Sequence, residues 1–155
     1  MLNGNTDAER IANGAIYGKL YNWFAVKLLQ MDIDYYNANN PTTPFGWRVP
    51  TQADFNTLAT TLGGASVAGG KMKMTGTTYW NSPNTGADNS SGFSAIGSSR
   101  STNSGTFGSG WPINTITAFW GIDSYYLMLN YNNNALQIGN VDTKGYGYSL
   151  RLIKS

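Results

Sequence analysis

Twelve residues, Pro44-Phe45-Gly46-Trp47-Arg48-Val49-Pro50-Thr51-Gln52-Ala53-Asp54-Phe55, leave the chain little conformational choice. Pro44 fixes φ and Gly46 permits a sharp bend. Trp47 and Val49 alternate with Arg48, the pattern of a half-buried strand. Pro50 pushes Val49 towards extended geometry and ends that strand. Thr51 is then placed to cap a helix, with Asp54 three residues on as its capping-box partner. The helix that follows carries Phe55, Leu58, Ala59 and Leu62 on one face and stops at Gly63-Gly64. Turn, strand and helix are set in one short segment, and the rest of the chain has to pack around it.

Before this junction, residues 1–14 are small and polar and read as an arm or loop, and Ala15 to Leu20 as a short strand. Tyr21, Phe24 and Leu28 recur at helical spacing, with Asn22 as a cap; a strand through Trp23 is the competing reading. Residues 30–43, with Asp32, Asp34, Asn37, Asn39, Asn40 and Pro41, read as a loop. After the junction, Gly63 to Gly110 is rich in Gly, Ser, Thr and Asn. So long a structureless loop does not suit a compact domain, so it is expected to be ordered and pinned by Trp80, Phe93 and Trp111. From Ile116 the pattern turns to β. Ile116, Ala118 and Trp120 alternate; Tyr126 to Tyr131 and Ala135 to Ile138 form a hairpin across Asn132-Asn133-Asn134; Tyr146 to Ile153 reads as a last strand.

Side-chain inventory excludes several functions. The 155 residues contain no Cys and no His, which removes thiol nucleophiles, Cys/His zinc sites and Ser-His triads. A formal charge of +2, with Lys and Arg scattered, is too weak for a nucleic-acid interface. No apolar run approaches the roughly 20 residues of a membrane span. Met1-Leu2-Asn3-Gly4-Asn5 lacks the features of a signal peptide, so the chain is expected to be a piece of a longer secreted protein or to reach its destination otherwise, as in a virus particle. The eight acidic residues are dispersed, which argues against a calcium site at Asp32/Asp34 or Asp88 and against paired glycosidase carboxylates. No cofactor, no metal and no catalysis are expected.

Five segments, in order, carry a resemblance: Tyr17-Gly18-Lys19-Leu20-Tyr21-Asn22-Trp23, Pro44 to Thr51, Gly69-Gly70-Lys71-Met72-Lys73, Thr85 to Ala95, and Tyr148-Ser149-Leu150-Arg151. They resemble the motifs of the Fibrobacter succinogenes major paralogous (FISUMP) domain, over a domain of residues 15–155 preceded by the 1–14 arm. The resemblance implies an α+β, C-type-lectin-like fold with two helices, a small antiparallel sheet and a long ordered loop region. Relatives commonly carry a Cys pair where this chain has Thr43 and Leu152, which implies that these two positions are neighbours. The segment after Trp120 departs from the family pattern. Some C-type-lectin-like domains are diversified at Asn-rich C-terminal positions by retroelements, and the Asn content here fits that behaviour.

Trp23, Trp47 and Trp80 are expected in the core, Lys71 and Lys73 on a solvated strand face, and Arg48 and Arg151 in structural roles. The candidate ligand surface lies between Trp111 and Gly147. Its residues are Trp120, Asp123, Ser124 and Tyr126, then Asn130, Asn132, Asn133 and Asn134, then Gln137, Asn140 and Tyr146. Tyr offers a rigid face with a polar tip, and Asn offers both donors and acceptors. The competing reading makes Asn132–Asn134 a hairpin turn only. The expected function is recognition of a cell-surface glycan or protein, outside the cell or on a virion. The alternative is a decoration or fibre domain of a phage particle or cell envelope, self-assembled or part of a larger assembly. Neither nucleic acid nor membrane insertion is expected.

Overall fold

The computed structural model describes residues 6–155, the Arg10 side chain excepted. Among the described residues it is an α+β arrangement of four helices and two small antiparallel sheets. The helices are α1 (Asp7–Tyr17), α2 (Trp23–Asn39), α3 (Gln52–Thr61) and α4 (Ala65–Met72). Strand β1 (Trp47–Arg48) pairs with β5 (Ile153–Lys154), while β2 (Ile116–Trp120), β3 (Tyr125–Asn130) and β4 (Leu136–Asn140) form a meander.

The meander divides the core. Phe119, Leu127, Leu129 and Leu136 meet Phe55 and Ala59 of α3, Ala68 and Met72 of α4, and Trp80. Ala118 and Trp120, on the alternate positions of β2, meet Val26 of α2, Val49 and Tyr148. Thr117 to Trp120 are all buried, because β2 has packed material on both faces.

The Pro44–Phe55 junction forms as its residues dictate. The Thr51 hydroxyl accepts from Asp54 N–H and the Asp54 carboxylate accepts from Thr51 N–H at 2.7 Å, a reciprocal cap. Both Arg48 guanidinium Nη atoms donate to the same carboxylate at 2.7 and 2.8 Å. That pairing holds the Asp54 carboxyl well below the usual carboxylate range. Gly63 and Gly64, with φ of 95° and 101°, turn the chain from α3 into α4.

Several expectations are corrected. Residues Asp7–Tyr17 are helical, not a loop followed by a strand; Thr6 and Glu9 make a second reciprocal capping box, a spacing present in the sequence. The reading of residues 1–5 lies outside the described residues. Asn22 caps α2 as expected, but the helix runs through the supposed 30–43 loop to Asn39. Its buried residues are Val26 and Ile33, whereas Phe24 and Leu28 face solvent. The Gln30 Oε1 accepts from Val49 N–H at 2.8 Å, which fixes that side of α2 against the end of β1. Trp47 is 47% exposed, on the outer side of a two-residue ribbon, while Val49 points inward. Strand β1 does dock on the C-terminal segment, with Arg48 opposite Ile153. Continuing that register sets Leu152 opposite Val49 rather than Thr43, which sits in the turn after α2 with its N–H on the Asn40 carbonyl. A fourth helix, α4, replaces the strand expected around Lys71, and Lys73 is wholly buried. The last strand is broken into single bridges at Gly147, Tyr148 and Ser149 before β5.

The long loop is pinned where expected. Trp80 is fully buried with its indole N–H on the Ala95 carbonyl at 2.8 Å, Phe93 meets Phe119 edge-on at 5.3 Å, and Trp111 stacks on Tyr148 at 5.6 Å.

Candidate functional site

The alternation of β3 and β4 sorts the predicted residues. Tyr126, Met128 and Asn130 point to one face of the meander; Tyr125, Leu127 and Leu129 point to the other. Across from Tyr126 stands Gly139, and across from Met128 stands Gln137. A Cβ at Gly139 would come within 2.6 Å of the Tyr126 hydroxyl, so the glycine leaves room for the ring to lie across β4. Tyr126 in turn meets Tyr148 edge-on at 5.7 Å.

Beside this ring the loop residues complete an aromatic surface. The Arg100 guanidinium lies 4.5 Å from the Trp111 ring and 4.6 Å from the Tyr146 ring. Such contacts satisfy a cation through ring quadrupoles rather than a carboxylate. Tyr148 lies beneath, 4.5 Å from Trp120 and 6.3 Å from Tyr146. Burial pushes the Tyr148 phenol up, against the opposing pull of its hydrogen bond to Arg100. Arg100, Trp111, Tyr126, Met128 and Tyr146 are half-buried: their rings and stems are held by packing, and one side of each meets solvent. The surface offers aromatic faces, a fixed guanidinium and amide groups at Asn130 and Gln137. It can stack on a ring or sugar face and donate to oxygen atoms around it.

The other predicted residues do not join this surface. Trp120 is fully buried, with its indole N–H on the Tyr21 carbonyl at 2.7 Å, and is corrected from a ligand contact to the floor of the cluster. Asp123 and Ser124 form the β2–β3 turn, where the Asp123 carboxylate accepts from Gln52 N–H at 3.2 Å at the start of α3. Asn140 ends β4 opposite Tyr125, off the aromatic face. Asn132, Asn133 and Asn134 form the turn at the far end. There the Lys73 ammonium donates to the carbonyls of Thr85, Asn130 and Asn133 at 3.0, 2.9 and 2.9 Å. Asn133 Oδ1 also accepts from Ala135 N–H. The turn is a structural knot around a buried cation, not a free loop.

A concavity of about 530 Å³ runs elsewhere, between α3 and the C-terminal segment, with Phe55, Leu58, Phe93, Phe119 and Leu127 among its walls. Arg151 lies 4.2 Å over Phe93 and donates to the Phe93 carbonyl, so the one guanidinium in this groove is already engaged.

The sequence profile of the Fibrobacter succinogenes major domain matches residues 4–154. The chain belongs to that family. No curated protein and no solved structure is similar enough to the chain to count as a match. In this Fibrobacter succinogenes major domain two of the five motif segments form joints and turns of the fold. Tyr17 to Trp23 joins α1 to α2, and the Thr85–Ala95 segment is held by its own hydrogen bonds, Ser90 N–H to Asp88 and Ser94 N–H to Asn89, both at 2.8 Å. The aromatic surface takes Tyr126, Tyr146 and Arg100 from between or beyond those motifs. Arg100 is not legible as a site residue in the sequence, because a lone Arg in a Ser/Gly-rich stretch gives no periodic signal. Among the described residues no three His, Cys, Asp or Glu side chains gather as metal ligands, and no helix is long and apolar enough to cross a membrane.

Proposed function

We propose that this domain is a non-catalytic recognition module with a C-type-lectin-like arrangement, binding a glycan or protein ligand displayed on a cell surface. The supporting observation is the Arg100 guanidinium clamped between Trp111 and Tyr146 beside the Tyr126 ring. Rigid aromatic faces give contact area at small entropic cost, and a preset guanidinium supplies directional donors. The side chains of the surface include no nucleophile paired with a base, which fits binding without turnover. A surface that reads cell-surface sugars or proteins belongs outside the cell or on a virion, the location this reading assigns.

The test is a glycan array probed with the wild-type domain and with Tyr126→Ala, a half-exposed position whose loss leaves Trp120 and Tyr148 in place. Binding to a defined glycan set is expected, weakened by about tenfold or more in the variant, as for a central aromatic contact. A wild-type domain that binds no glycan on the array and no intact cells would overturn the proposal.

A further inference from the structure

Helix α2 carries two apolar stripes. Val26 and Ile33 turn into the domain, 0% and 4% exposed. Phe24, Leu28, Met31 and Tyr35 recur at steps of four, three and four, and are 60%, 58%, 56% and 74% exposed. Those steps are the a/d seam of a coiled coil, and they place Val26 and Ile33 at the f positions, on the opposite side. Ala38 continues the seam at the next d position. The flanking e and g positions include Ala25, Lys27, Asp32, Asp34 and Asn39, and every one of them is exposed. A helix that packs only on its own domain needs a single apolar stripe.

We infer that α2 is a homotypic interface, packing in parallel against α2 of a second copy of this chain. Charge selects the occupant and its direction. In a parallel pair a g residue faces the e residue five positions on in the other helix. Lys27 occupies g and Asp32 occupies e, so each Lys27 meets Asp32 of the other copy and the pair occurs twice. An antiparallel pairing with Leu28 over Met31 would set Asp32 against its own counterpart, a like-charge contact. The 17-residue helix would be marginal alone. Here it is already capped by Asn22 and docked through Val26, Gln30 and Ile33, so association has only side chains left to order. This interface is independent of the aromatic ligand surface.

Sedimentation equilibrium on the chain through the submillimolar range tests the inference. Wild type is expected at about twice the 16.8 kDa chain mass. Leu28→Glu with Met31→Glu alters only exposed positions, and is expected to give a monomer with unchanged circular dichroism and thermal unfolding. Because the chain lacks Cys, Leu28→Cys gives a clean test of direction: in a parallel pair a faces a, and mild oxidation links the two copies. Lys27→Glu is expected to weaken the dimer by roughly fivefold, and adding Asp32→Lys to restore it. A wild-type chain that stays monomeric overturns the interface, as does a dimer whose mass survives the double Glu variant. A dimer whose Leu28→Cys form resists cross-linking, or in which Asp32→Lys fails to rescue Lys27→Glu, overturns the parallel packing.

Discussion

The Lys73 ammonium donates to the carbonyls of Thr85, Asn130 and Asn133, and burial draws its pKa down to about 8. The unfolded chain keeps the ordinary value of about 10.4, so between these limits the unfolded state binds more protons than the folded one. Folding stability therefore rises with pH from about 8 towards 10.4, and this term is flat below 8, where both states are charged. Chemical denaturation from pH 7 to 10 is expected to show that rise in the wild type and not in Lys73→Met. The substitution should itself cost about 1–3 kcal/mol at neutral pH, because carbonyls are left without a donor. Equal slopes in the two proteins would remove Lys73 as the titrating group. The sequence concealed this role: Lys71 and Lys73 alternate with Met72 and Met74 as on a solvated strand. Only the long-range placement of the Asn turn turns one of the two inward. Trp47 shows the converse case, an aromatic residue in a family motif that a two-residue strand leaves half outside.

Among the elements, α4 packs against the hairpin at the limit of backbone approach. A Cβ at Gly69 would lie 2.3 Å from the Ala135 carbonyl oxygen, and one at Gly70 would lie 2.4 Å from that of Gly86. Gly69→Ala should raise helix propensity by about 0.8–1 kcal/mol, yet the collision with fixed backbone is expected to outweigh it. A net loss of about 1–3 kcal/mol in thermal or chemical unfolding is predicted, the range of an overpacked core. A gain would show that α4 and the hairpin have room to separate. Elements whose local chemistry agrees with their packing were legible: the α3 cap, its Phe55/Ala59 face and the β3–β4 hairpin all follow from residue order. Helix α2 was legible as a helix and not as a face. Its Phe24/Leu28 spacing, which Tyr21 extends before the helix, and its Val26/Ile33 spacing are both apolar, and periodicity alone does not say which one meets the core. Its length is hidden in the sequence because Asp32, Asp34 and Asn37 suit a loop as well as an exposed helix side. Helix α4 was hidden by its two glycines, which lower propensity and are there for close packing.

At the scale of the whole molecule, the meander separates an α3/α4 core from an α2 core, and the aromatic surface grows from the second. The late β region and the Tyr-rich stretch around it could be read from alternation. The grouping of Arg100, Trp111, Tyr126 and Tyr146 could not, since it joins two loops to one strand. The predicted surface accordingly divided: Tyr126, Gln137, Asn130 and Tyr146 share a face, while Asp123, Asn133 and Asn134 hold turns and Trp120 lies beneath. The groove at α3 and Arg151 is the competing location for a ligand. Amide and side-chain NMR of the labelled domain, titrated with a glycan selected on the array, separates the two. Shift changes are expected to centre on the Arg100 guanidinium, the Trp111 indole, Tyr126, Gln137 and Tyr146. Changes centred instead on Leu58, Phe93 and Arg151, with the aromatic face silent, would contradict it.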